Sequence, residues 1–358
     1  MGERGGADAS SHPPPPRSDR LDRFLRFLRA HPILCLAILT PGIPEYLSTS
    51  SPVLNLVANP FWFFLGLAIN VGQYTAGALL VREALLRWKK GWATLVLLAL
   101  AYGITEEGLG DNTLFNSNQG AEGVLGSFGR FAGVNWVWST GVLAFHVIYS
   151  IGLPIVLLGL ALPATKGRSL VGRRGLTVAF TTLTMSTALE LAIVLGSFHF
   201  WMGWPLFFGC LGAIAVLVFA AYRLPGNFAR PATDLPRLRP WGAGVIGFSV
   251  FPILFFLEYY VSALAVPAVA IIATEVLFLA FLCELLRRRV GRSRNEYVVV
   301  NLAFGFILWQ CVFGLLLTLG VPYTLPLVLV AVWFFVRLRR AYPAPGGQPS
   351  VTSGPAGA

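Results

Sequence analysis

An all-α fold, a polytopic transmembrane helical bundle of about ten spans with both termini in the cytoplasm, is predicted by three observations. Hydrophobic residues make up 56% of the 358-residue chain and charged residues only 12%, and the mean hydropathy is +0.69. No soluble core of this size takes up so much apolar surface, so lipid is the solvent for most of the chain. The apolar residues fall into ten runs, each able, alone or with a break, to cross a hydrocarbon core that needs roughly 20 residues. Lys and Arg occupy every second connection between those runs, as the positive-inside rule requires.

Taken in order, residues 1–30 form a cytoplasmic arm. Residues 1–19, with Pro13 to Pro16, read as disordered, and 20–30 alternate Arg20, Arg23, Arg26 and Arg29 with Leu21, Phe24, Leu25, Phe27 and Leu28. That pattern suits a basic amphipathic segment lying on anionic headgroups. The polar stretch is too long for a cleavable signal peptide.

The transmembrane domain covers 31–340, with spans near 33–50, 60–86, 92–107, 134–162, 175–198, 204–223, 241–260, 262–287, 297–319 and 322–340. The first is irregular: Pro41, Gly42, Pro44 and Glu45 follow eight apolar residues, giving either a broken helix or an early end with an outer loop from Pro41 to Asn59. The tail 341–358, rich in Pro, Gly and Ser, reads as disordered and cytoplasmic.

The charge pattern sets orientation independently of the apolar count. Basic residues cluster in the arm, at Arg82 to Lys90, Lys166 to Arg174, Arg223 to Arg239, Arg287 to Arg294 and Arg337 to Arg340, while the intervening connections carry only Arg130. A net charge of +11 is thereby explained without nucleic acid; the expected partner is the lipid bilayer, and the expected location the plasma membrane of a bacterium or archaeon. Cys35, Cys210, Cys283 and Cys311 lie within apolar runs at spacings that suggest neither disulfides nor a zinc knuckle. Arg82 with Glu83 reads as a local ion pair or snorkelling anchor at the inner membrane edge, and Glu284 beside Arg287 to Arg289 similarly.

Ionisable residues inside a span are expensive and mark functional interiors. On the orientation above, Glu106 and Glu107 close the third span at its outer end, His146 lies in the fourth, Glu190 in the outer half of the fifth, His199 at its end, Glu258 in the seventh and Glu275 in the eighth. Helical spacing aligns Asn135, Ser139, His146 and Ser150 on one face, Thr182, Ser186 and Glu190 on another, and Asn70, Gln73, Tyr74 and Gly77 on a third. Such stripes serve either a shared hydrophilic pocket or interhelical hydrogen-bond seams.

The candidate reactive residues are Glu106, Glu107, His146 and Glu190, because buried carboxyl and imidazole groups carry protons or act as general bases. Glu107, His146 and His199 are the candidate ligands of a divalent metal such as zinc, although no HExxH spacing is present. Three functions are compatible with these residues: transport of a small solute or cation coupled to protonation of Glu106, Glu107 or Glu190; a membrane-embedded metal-dependent hydrolase acting on a lipid or peptide; and a non-catalytic membrane scaffold.

Adjacent glutamates followed by single histidines in or near the next two spans resemble the CAAX-protease and bacteriocin-processing family of intramembrane enzymes, whose motifs are EExxxR, FxxxH and HxxxN. Glu106 and Glu107 would match the first motif, His146 the second and His199 the third. Asp111 stands at the Arg position, Val142 at the Phe position and Gly203 at the final position. That family's site opens to the cytoplasm, whereas this glutamate pair is expected outside. PGIPEYL, YGITEEGL and GVNWVW also resemble segments of a prokaryotic multi-pass membrane family with no assigned activity, a likeness that implies the membrane fold and no chemistry.

Overall fold

A computed structural model of the chain describes residues 19–117, 123–226, 228, 238–290, 296–319 and 323–342. Of the disorder expected over 1–19 and 341–358, residues 1–18 and 343–358 lie outside them, while Asp19 opens a helix and Ala341 closes one. The basic amphipathic segment is a helix, α1 (Asp19–Ala30). His31 leaves the helical region ahead of Pro32 (φ −123°, ψ 68°), as a residue before proline tends to, and there the chain turns by 95° between Arg23–Ala30 and Pro32–Leu47.

Helix α2 (Pro32–Pro41) does not end at its prolines. It passes into a π-helical turn, Gly42–Leu47; Pro41 and Pro44 have no N–H to give to a regular ladder, and the wider turn accommodates the loss. The expected break is therefore a change of helical pitch, and it carries Glu45 into the bundle where an outer loop was the alternative. A short α3 (Asn55–Ala58) leads to α4 (Pro60–Arg87).

The same change of pitch recurs. Helix α5 (Trp92–Gly103) continues as the π-turn Ile104–Gly110. A small antiparallel ribbon, β1 (Arg130–Phe131) with β2 (Val134–Asn135), precedes α6 (Trp136–Phe145), which continues through the π-turn His146–Gly152 into α7 (Leu153–Ala161). Next come α8 (Arg173–Phe198), α9 (Trp204–Arg223), and α10 (Pro240–Phe255) with the π-turn Phe256–Val261. The chain closes with α11 (Ala268–Arg289), α12 (Glu296–Leu317) and α13 (Leu325–Ala341).

Among the described residues, eight of these helices are long and apolar enough to cross a membrane, nine if the bent pair at α1 and α2 is one span. The predicted tenth span is α13, of 17 residues. The bundle has an inside and an outside. In Trp92–Gly110 and Trp136–Ala161, 61% of the apolar stretch is enclosed by protein, against 17% in α8 and α11 and 11% in α9. Those two inner helices carry Glu106, Glu107 and His146.

Two apolar cores flank them. One gathers Tyr149, Leu157, Val250, Leu254, Phe306 and Ile307 between α7, α10 and α12; the other gathers Leu36, Tyr74, Ala78, Ala99, Tyr102 and Leu158 between α2, α4, α5 and α7. Helices α10 and α12 cross backbone to backbone: a Cβ on Gly305 would run into the Gly244 carbonyl, and one on Gly247 into the Leu302 carbonyl. Small residues at a crossing are what bring helices together where lipid offers no hydrophobic drive.

The Arg82–Glu83 pair is no snorkelling anchor. Both side chains are buried. Arg82 Nη1 donates to Glu83 Oε1 (3.0 Å), and its Nη2 donates to the carbonyls of Thr165 (2.5 Å) and Arg168 (2.9 Å). Glu83 accepts from the Leu170 N–H (2.8 Å) and the Ser169 hydroxyl. The pair thus clamps the segment before α8 to the end of α4. Glu284 does form the expected local pairs with Arg287 and Arg288.

Candidate functional site

Three π-turns converge on one buried imidazole. In a regular helix, successive side chains point about 100° apart, so neighbouring glutamates cannot both face one partner. The wider turn at Ile104–Gly110 closes part of that angle, and Glu106 and Glu107 approach His146 from two sides. Glu107 Oε1 lies 2.7 Å from His146 Nε2 and Glu106 Oε2 lies 3.0 Å from Nδ1. The latter is a charge contact off the hydrogen-bond direction, since Nδ1 pairs with Ser150 Oγ at 2.9 Å and Glu106 Oε2 has no hydrogen-bond partner. Exposures of 5% for Glu106, 8% for Glu107 and 1% for His146 exclude bulk water from the cluster.

Each member is held from behind. Glu107 Oε2 accepts from the Thr113 hydroxyl, which itself accepts from Trp138 Nε1 (3.1 Å). The rings of Tyr74 and Tyr102 stand 6.2 and 6.0 Å from the imidazole, centroid to centroid, and both phenols lie within interaction range of Glu106.

Two further carboxylates adjoin the cluster. Glu45 accepts from the Tyr74 hydroxyl (2.5 Å) and from Ser51 Oγ (2.8 Å), and Ser51 in turn accepts from Asn70 Nδ2 (3.0 Å). It is within electrostatic reach of Glu106 and His146. Glu190 reaches in from the outer helix α8, accepts from Gln73 Nε2 (3.0 Å) and lies over Gly110, where any Cβ would collide with its carboxylate. It is in reach of Asp111, Glu106 and Glu107.

The predicted residues Glu106, Glu107, His146 and Glu190 are therefore brought together. His199 is not among them: it is exposed, in the left-handed conformation (φ 51°) that ends α8. The α4 stripe serves the site as its spacing suggests, through Asn70, Gln73 and Tyr74, and Thr182 and Ser186 pack α8 against Gly72. The α6 stripe divides. Asn135 caps its helix and holds the Leu125 carbonyl, Ser139 bonds the Asn135 carbonyl, and only His146 and Ser150 reach the cluster.

One ligand atom each from Glu106, Glu107 and His146 can be chosen so that all lie within 4.8 Å of one another, close enough to hold a metal ion. A catalytic zinc takes three such protein ligands and keeps a fourth position open. Glu107 and His146 also form a hydrogen-bonded carboxylate–imidazole pair suited to handing on a proton, which Nδ1 continues to Ser150 Oγ. No model of a known protein family matches the chain, and no curated protein or solved structure matches it either.

Proposed function

We propose that the chain is a ten-span plasma-membrane transporter, with both termini in the cytoplasm and its Glu/His pocket facing outward, that couples movement of a small solute or cation to protons carried by Glu106, His146 and Glu107. The single observation that supports this most is the imidazole held between two carboxylates at 2.7 and 3.0 Å. The first is a hydrogen bond along which a proton can pass, and Glu106 lies beside Nδ1 as a negative charge that favours the protonated imidazole. A zinc ion between Nε2 and Glu107, with bonds of about 2.0 Å, would hold the two ligand atoms roughly 3.3 Å apart. Burial adds to the case, because a proton or small cation reaches a site closed to bulk water more readily than a lipid or peptide. Glu45 and Glu190 supply further acceptors at the edge of the relay.

A second reading, a membrane-embedded metal-dependent hydrolase, is favoured by the three-ligand grouping. There His146 and the two glutamates would hold zinc, and Glu45 or Glu190, both within electrostatic reach of the cluster, would serve as base.

Both are tested on protein reconstituted into liposomes that enclose a pH-sensitive dye. Under an imposed proton gradient, a panel of inorganic cations and small polar solutes is presented one at a time. At least one should collapse the gradient in wild type, and Glu107→Gln should abolish that response while the protein remains folded. Elemental mass spectrometry of the same samples is the other arm. About one zinc per chain, lost in both His146→Ala and Glu107→Gln, would overturn the relay in favour of the hydrolase.

A further inference from the structure

A second acidic pair lies against another face of α6, apart from the cluster just described. Glu258 sits in the π-turn Phe256–Val261 and Glu275 in the middle of α11; they are 6% and 0% exposed. Neither oxygen of Glu275 has a hydrogen-bond partner, nor has Oε1 of Glu258. The Glu258 carboxylate lies on the bare backbone of Gly141, in space that any other residue would fill. The two carboxylates are close enough for their charges to act on each other.

Among the described residues, no compensating cation comes from the elements packed against the pair, and Arg130, on the ribbon ahead of α6, is engaged with the carbonyls of Gly126, Phe115 and Gly133. Helix α6, helix α10 and the 3-10 turn Gly123–Gly126 contain no ionisable side chain. The turn that carries Glu258 adds only Tyr259 and Tyr260. On α11 the next charges are Glu284 and Arg287 to Arg289, about 13 Å or more along the axis, where Arg287 and Arg288 are engaged with Glu284. Two ionised, unpaired carboxylates cannot persist in such apolar surroundings, so positive charge has to arrive from elsewhere. No imidazole or thiolate is present to serve zinc, and burial to 6% and 0% exposure shuts the pair off from the several waters that magnesium keeps. The π-turn points the same way, since each of the other three π-turns carries an ionisable residue of the His146 site.

We propose that Glu258 and Glu275 form a second intramembrane cation site, separate from the His146 cluster, which holds a monovalent cation, a proton or sodium, between their carboxylates. The site does not depend on what the first cluster does, and it accounts for the glycine at position 141.

Infrared difference spectroscopy of the full-length protein in lipid nanodiscs tests this through the carbonyl stretch of protonated carboxyl groups. In sodium-free choline buffer, wild type should show a protonated-carboxyl band that Glu275→Gln removes and Glu258→Gln diminishes. Loss of that wild-type band on adding sodium chloride at constant pH identifies a sodium site; loss only as pH is raised identifies a proton site. A band that neither sodium nor pH alters, or identical titrations in wild type and both variants, would overturn the proposal and leave two permanently neutral packing groups. Should the glutamine variants fail to fold, the wild-type titration stands alone with Glu275→Asp beside it. The shorter acid should shift the sodium or pH midpoint, and an unchanged midpoint would count against the site.

Discussion

Glu83→Gln offers a sharp test of which ion pairs hold this fold together. The substitution keeps the shape of a fully buried side chain and removes its charge. Arg82 then keeps its carbonyl contacts to Thr165 and Arg168 but loses the carboxylate paired with it at 3.0 Å, Arg87 loses the same partner at 3.3 Å, and the Leu170 N–H and Ser169 hydroxyl face a weaker acceptor. Breaking one side of a buried pair costs about 3–5 kcal/mol, and the retained carbonyl contacts place this case near 3. At about 2 °C per kcal/mol for a chain of this size, the apparent melting temperature in detergent, followed by tryptophan fluorescence, should fall by about 6 °C. Lys166–Glu296 is the control. Its partners are 42% and 41% exposed, so Lys166→Met should change stability by less than about 1 kcal/mol. Equal shifts in the two variants would refute the claim that burial, and not the ion pair as such, decides the energy.

Two further substitutions probe packing and positioning. Gly305→Ala should force α10 and α12 apart and cost about 1–3 kcal/mol, seen as a lower melting temperature with the proton response of the surviving folded protein retained. Gly110→Ala should displace the Glu190 carboxylate and break its bond to Gln73. Solute-dependent proton flux should fall several-fold with little loss of stability; unchanged flux would remove Glu190 from the site.

The helices were legible because lipid selects on composition. The span expected at 204–223 is α9 to the residue, and the one expected at 175–198 is α8 with a two-residue longer start. Glu106, Glu107, His146 and Glu190 were legible for the same reason, as charges where charges are costly. Rotation about the helix axis was not legible. A π-turn leaves no composition signature, and a shared helical face does not say what each residue bonds: Asn135 and Ser139 lie on the His146 face but are taken up by the start of their own helix. Glu45 was obscured by the prolines around it, which also fit a loop. His199 has the right residue type and chain order, but the end of α8 turns it to the surface. Glu275 lies mid-helix and Glu258 in the turn that ends its own, and position along a helix does not say which neighbours two residues share.

The clamp at Glu83 has a mechanical consequence. Helices α4 and α8 run antiparallel and are pinned twice: by Glu83 to the segment just ahead of Arg173, and by Gln73 to Glu190. Between Arg173 and Glu190 the helix is a stiff arm of about 25 Å, at about 1.5 Å per residue. A tilt of about 5° at the clamped end would swing the far end by about 2 Å for an arm of that length, enough to make or break the Gln73 contact. The loop at 162–172 therefore has leverage over the carboxylate that lies against Gly110, and strain applied at one end of this pair is felt at the other.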